Sequence, residues 1–262
     1  MKFKMSDKAN AVEYFQRLMD ILEKLRAPGG CPWDQEQTSK SLIPFLLEET
    51  YEVIEAIEDG DLETLKEELG DLTLHILFQA QIAKENKQFD ISDSLENICS
   101  KLIQRHSHVF NPDENTKQDG SIKNWEFQKQ NEKKRKYFLD GVPKKLPALT
   151  RAWRIQKKAA TVGFDWPEIH PVWDKVKEEL DELDQACESG DFESIKDELG
   201  DVLFSIVNLG RFLDINSEEA LRKTISKFET RFAGVEKRLK NKGKTLEDST
   251  LEEMDELWEL EK

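Results

Sequence analysis

Residues 60–72 spell GDLETLKEELGDL, and residues 190–202 spell GDFESIKDELGDV. Eight of the thirteen positions are identical at an offset of 130, and the other five are changes of similar type. At the same offset each copy is preceded by EExxE: Glu48, Glu49 and Glu52 in the first half, Glu178, Glu179 and Glu182 in the second. A repeat of this length means that one supersecondary unit occurs twice. The glycine ends one helix and the aspartate after it starts the next. Apolar residues recur at helical spacing on either side, for example Leu42, Phe45, Leu46, Val53, Ile54 and Ile57 before Gly60.

The turn sets the acidic groups in register. Glu52 and Glu68 each lie eight residues from Gly60, and Glu182 and Glu198 each lie eight from Gly190. At about 1.5 Å of rise per residue both groups stand roughly 12 Å from the turn. Within a helix, Glu49 and Glu52 share a face at i,i+3, as do Glu68 and Asp71. Facing carboxylates repel, so the arrangement calls for a counter-ion. Oxygen ligands with no paired His or Cys select a hard cation, Mg²⁺ or Mn²⁺. Iron bundles use Glu-x-x-His, whereas the fourth residue here is Asp71 or Asp201. Carboxylate-held Mg²⁺ keeps positions open for water and phosphate oxygens, which points to phosphoanhydride or phosphate-ester chemistry. One EExxE on a solvated helix face is ordinary in so charged a chain. Two copies, each followed at the same interval by ExxD, are not.

The rest of the chain fits this frame. Its 262 residues suit two domains of about equal size. Charged residues make up 35%, with only 12 Gly and 8 Pro, a mix that favours amphipathic helices. The expected fold class is all-α, with two tandem helical-bundle repeats. We place an N-terminal domain at 1–134, a connection at 135–147 and a C-terminal domain at 148–262. Helices are expected over 7–27, 41–59, 62–87, 92–106, 122–138, 149–160, 172–188, 192–213, 217–240 and 246–260. CPWDQEQTSKS, residues 31–41, is expected as a loop. Its Trp33 either caps a core or forms a stacking wall. WELEK at 258–262 resembles WEFQK at 125–129, which pairs the Trp125 helix with the last one.

A net charge of −15 argues against binding a nucleic-acid polymer, since neutralising phosphates needs a basic surface. Cys31, Cys99 and Cys187 form no CxxC pair and suit reduced thiols. The first residues lack the apolar core of a signal peptide. No stretch approaches the roughly 20 apolar residues of a membrane span. The expected setting is cytoplasmic.

EExxE followed by ELGD resembles the signature of the MazG-type nucleoside triphosphate pyrophosphohydrolases. These belong to an all-α NTP pyrophosphatase superfamily with the all-α dUTP pyrophosphatases and phosphoribosyl-ATP pyrophosphohydrolases. GCPWD (30–34), RHSHVF (105–110), VGFDW (162–166) and KFETRF (227–232) extend the resemblance over nearly the whole chain. It implies Mg²⁺-dependent cleavage of a bound NTP, such as ATP, between the α and β phosphates, giving NMP and pyrophosphate. It also implies a homodimer and a housecleaning role in the nucleotide pool. Carried over by residue, Glu179, Glu182, Glu198 and Asp201 match metal ligands, and Glu178 completes the catalytic motif. In the first half the matching ligands are Glu49, Glu52, Glu68 and Asp71, with Glu48. Lys227 and Arg231 match a phosphate-contacting pair, and Trp258 a position near the nucleotide. Lys175, one turn before Glu179, is either a further phosphate contact or a surface lysine.

The halves differ in their cations. Lys101 and Arg105 repeat Lys227 and Arg231, but Lys175 and Lys177 correspond to Phe45 and Leu47. His75 corresponds to Ser205 and is either a buried helix histidine or a group behind the ligands. The second half is therefore expected to hold the principal catalytic site. The first is either a second active site or a metal-binding, dimer-forming unit. The rival readings are a non-catalytic Mg²⁺- or nucleotide-sensing dimeric interaction protein and a narrower deoxynucleotide or modified-nucleotide pyrophosphatase. Base preference is expected from Trp166 and Trp258.

Overall fold

A computed structural model describes residues 5–110 and 136–262. The chain divides into two compact units, Met1–Thr116 and Lys117–Lys262. Every regular element among the described residues is a helix. The first unit contains α1 (Met5–Arg26), α2 (Pro32–Glu36), α3 (Ile43–Asp59), α4 (Leu62–Glu85), α5 (Ile91–Arg105) and α6 (Ser107–Phe110). The second contains α7 (Ala148–Ala160), α8 (Ile169–Ser189), α9 (Phe192–Phe212), α10 (Ser217–Asn241) and α11 (Leu251–Glu259). No described helix is long and apolar enough to cross a membrane.

Two helical hairpins, α3–α4 and α8–α9, carry the repeated motif. Gly60 has φ 72° and Gly190 has φ 71°, both left-handed, where a side chain would crowd the following carbonyl. Gly60 N–H donates to Ile57 O at 3.3 Å and Asp61 N–H to Ala56 O at 3.0 Å, closing the end of α3. The Asp61 carboxylate then accepts from Glu63 N–H at 3.0 Å and Thr64 N–H at 3.1 Å. Asp191 caps α9 in the same way through Glu193 N–H at 3.3 Å. Each turn stops one helix and starts its antiparallel neighbour within two residues.

In the first unit, α1 packs on α4, and Leu22, Leu42, Leu77, Phe78 and Ile82 are buried together. Arg26 ties this core to the chain that follows. Its Nε donates to Glu85 Oε1 at 2.9 Å, while Nη1 donates to the Asp34 and Gln37 carbonyls. Those bonds hold α2, where a loop was expected. Pro32 fits its first turn because no donor is needed there.

The second unit has two apolar clusters. Val172, Val176 and Leu209 join α8 to α9, and Val235, Leu239 and Leu257 join α10 to α11. Residues 136–147, assigned to a connection, pack on α7. Lys158 is 6% exposed, donates to Asp140 O at 3.2 Å and lies 5.1 Å from the Phe138 ring centroid. The last helix begins at Leu251 rather than 246. Thr250 and Glu253 form a capping box, and Thr245, Asp248 and Ser249 bond among themselves just before it. Of the charged helix expected over 122–138, residues 122–135, with Trp125, lie outside the described residues. Residues 136–138 are not helical.

A Cβ at Gly190 would meet nothing within 4 Å, so backbone strain alone opposes it. Gly190→Ala is expected to cost about 1 kcal/mol, read from urea denaturation. No loss of stability would show that the left-handed turn is not required.

Candidate active site

The hairpins bring together the residues that the spacing put in register. In the second unit, carboxylate oxygens of Glu179 and Glu182 on α8 and Glu198 on α9 lie within 4.8 Å of one another. In the first, Glu49 on α3 and Glu68 and Asp71 on α4 meet the same limit. Glu52 lies beside them, close enough to raise the pKa of both Glu49 and Glu68. Asp201 stands outside the second trio but lines the cavity next to it. Glu178 is exposed and turned toward Lys175, and Glu48 is exposed on α3.

Burial and repulsion act together on these acids. Loss of solvent is the larger cause at Glu49, with Glu52, Asp71 and Glu68 adding to it; the carboxyl is held above its ordinary 4.5. Glu182 is also raised. Burial outweighs the nearby Lys175, and Glu179 and Glu198 push the same way. Lys175 is the cation attached to this cluster. Its Nζ lies 2.8 Å from Glu178 Oε1 and 2.7 Å from Glu179 Oε1, and these bonds hold it well above the usual lysine range.

A cavity of about 570 Å³ opens beside the second cluster. Lys175, Glu179 and Asp201 line one part, and Phe164, Trp166 and Phe204 form apolar walls. Trp166 thus sits where a stacking residue would. Trp258 does not line this cavity. It contacts Phe228 at 5.1 Å between centroids and lies 5.8 Å from the Arg231 guanidinium. Lys227 and Arg231 share α10 with Phe228, and neither lines the cavity. Lys101 and Arg105 lie on α5.

The first cluster has a different neighbourhood. Phe45, at the position of Lys175, stacks on His75 at 6.3 Å between centroids, and Trp33 meets Phe45 edge-on at 5.9 Å. His75 Nε2 is 3.7 Å from Glu49 Oε1, and its Nδ1 is buried without a partner. Burial pushes this imidazole below its ordinary 6.5, so it is neutral at pH 7. His75 is therefore a buried helix histidine that also stands behind one of the acids.

Sequence reasoning missed Gln156, Asn208 and the Asp165–Arg211 pair, all of which line the cavity. Arg211 Nη2 donates to Asp165 Oδ1 at 2.6 Å and Nη1 to Oδ2 at 2.9 Å. For Asn208 the available signal was its offset of 130 from Phe78, a core-side residue of the first copy.

Three carboxylates at these distances give each hairpin an acidic cluster on an all-α scaffold. The MazG nucleotide pyrophosphohydrolase domain matches the chain twice, over residues 37–110 and 170–235. The chain belongs to this family and carries its domain in two copies. A Thermotoga maritima protein named nucleoside triphosphate pyrophosphohydrolase/pyrophosphatase MazG is 45% identical over 250 residues, 95% of each chain. An Escherichia coli K12 protein named nucleoside triphosphate pyrophosphohydrolase is 43% identical over 249 residues, 93% of this chain and 95% of that one.

The raised carboxyls bind protons more tightly in the folded chain than in the unfolded one. The stability they confer is present below the ordinary value of 4.5 and is lost as pH rises through the raised values. In chelator, the melting temperature is expected to fall as pH rises above that value, relative to the same protein with a divalent cation added. Glu49→Gln should melt higher than the parent in chelator at pH 7, by calorimetry. A lower melting temperature for Glu49→Gln would show that the cluster is not under repulsion.

Proposed function

We propose that the chain hydrolyses nucleoside triphosphates, NTP or dNTP, to the monophosphate and pyrophosphate, and that the second unit is the principal site. One observation carries this reading: three carboxylates from facing helices converge at the edge of a cavity lined by Lys175 and flat apolar side chains. The names of the two relatives support the reaction class.

The donor set fits Mg²⁺, with Mn²⁺ as the alternative, because every converging ligand is a carboxylate. Glu179, Glu182, Glu198 and Asp201 would hold the ion, as Glu49, Glu52, Glu68 and Asp71 would in the first unit. When bound, the ion polarises phosphate oxygens and makes a coordinated water more acidic. A glutamate of the motif takes the proton from the attacking water. Lys175 stays charged and offsets the negative charge that builds on the phosphates. The phosphate role of Lys227 and Arg231 rests on their match to the family's basic pair, since α10 holds them apart from the cavity.

The first unit supports a second reading for itself, as a metal-binding, dimer-forming module. Its Phe45–His75 stack stands where the second unit has Lys175 and Ser205. Exposed apolar residues at helical spacing support a homodimer. Leu95, Ile98 and Leu102 lie on α5, Leu199, Leu203 and Ile206 on α9, and Leu221, Ile225 and Phe228 on α10. A role in clearing unwanted nucleotides and a cytoplasmic setting complete the proposal; the free thiols of Cys31, Cys99 and Cys187 suit a reducing compartment.

The central test incubates the protein with each NTP and Mg²⁺ and identifies products. NMP and pyrophosphate are expected; NDP and phosphate, or no product, would refute the proposal. Glu182→Gln is expected to lower kcat by at least about 100-fold, and Glu52→Gln to leave most activity. The reverse result would move the principal site to the first unit. Light scattering on a sizing column should give twice the chain mass, and a mass of one chain would exclude the dimer.

A further inference from the structure

The second unit buries two amides, Gln156 on α7 and Asn208 on α9, each 8% exposed. Asn208 lies at the offset of 130 from Phe78, which is 3% exposed. One core position is therefore apolar in the first unit and polar in the second. Burying an amide that lacks a full set of partners costs free energy. At Asn208 packing does not demand that cost, because the first unit shows the apolar solution.

Both amides are fixed in orientation. Gln156 Nε2 donates to Phe204 O at 2.8 Å. A carbonyl must face the NH₂ end, so this bond assigns the two ends of the amide. Oε1, at the other end, is buried and has no hydrogen-bond partner. Arg211 Nε donates to Asn208 Oδ1 at 2.9 Å, which leaves Nδ2 as the donor end. Asp165 in turn anchors Arg211 through both terminal nitrogens. Gln156 and Asn208 line the cavity that Lys175, Glu179 and Asp201 also line.

We infer that this cavity receives the base of the nucleotide. Gln156 Oε1 accepts an N–H from the base edge, and Asn208 Nδ2 donates to the acceptor beside it. Phe164, Trp166 and Phe204 supply the flat surfaces. The inference rests on reading the second unit as the nucleotide site, and it places the phosphates toward Lys175 and the acids. Adenine, guanine, cytosine and uracil each carry an N–H next to an acceptor. The pair therefore tests for the presence of an N–H rather than for one particular base.

The test compares ATP with purine riboside triphosphate, which lacks the 6-amino group and has no N–H on that edge. The full chain and Mg²⁺ are used throughout. The analogue is expected to show kcat/KM at least about 10-fold below ATP, carried mainly by KM. In Gln156→Leu, which removes the acceptor, the two substrates should come within about twofold because ATP worsens. Equal kcat/KM in the parent protein overturns the inference, as does a folded variant that still discriminates. Gln156→Met keeps the side-chain length and replaces Gln156→Leu if circular dichroism shows the latter unfolded. If ATP itself gives no NMP and pyrophosphate, the reading of the whole site fails instead.

Discussion

Repulsion between carboxylates held on facing helices is the constraint on which the rest depends. Each hairpin places acids from two helices within reach of one point, and solvent is partly removed from them. Like charges held this close repel, and the fold carries that cost. The turn that creates the problem also sets its geometry. Gly60 and Gly190 end their helices in a left-handed conformation, and Asp61 and Asp191 restart the chain at once. The short connection leaves little freedom for the two rows of acids to slide apart. Stability elsewhere, from the Leu22–Phe78 core and the Val235–Leu239–Leu257 cluster, offsets what the acids cost.

Much of this was legible in the sequence, because helical periodicity and equal spacing about a glycine are local properties. Glu49, Glu68 and Asp71 met as their spacing required, and so did Glu179, Glu182 and Glu198. What stayed hidden depends on contacts between distant segments. The helix α2 has only five residues, too few to show a period, and it is held by Arg26 from an adjoining helix. The last helix starts late because local bonds at Thr245–Ser249 compete with helix formation. The cavity joins α7, the loop at 163–166, α8 and α9. Within RIQKKAA nothing marks Gln156 and Lys158 as buried, since both are residue types that normally face water.

Comparing the two units separates what the site needs from what it chooses. Both keep the acidic cluster. At matching positions the first unit has Phe45, His75 and Phe78, and the second has Lys175, Ser205 and Asn208. Lys175 adds a charge and Asn208 an amide to the cavity wall, while Ser205 replaces one polar side chain with another. Arg26 and Arg211 show the same division of labour. Arg26 locks α2 to a core through Glu85 and carbonyl groups, whereas Arg211 orients an amide in the wall of a cavity.

The hairpin has a consequence for how such proteins diverge. Every acid of the first cluster lies in one uninterrupted stretch, Glu48–Asp71. Copying that stretch copies the geometry of the acids whole, without help from any other segment. The cavity is assembled from pieces far apart in the chain, so it drifts independently in each copy. A gene duplication therefore hands down the charge cluster intact and leaves ligand choice free to change, one buried side chain at a time.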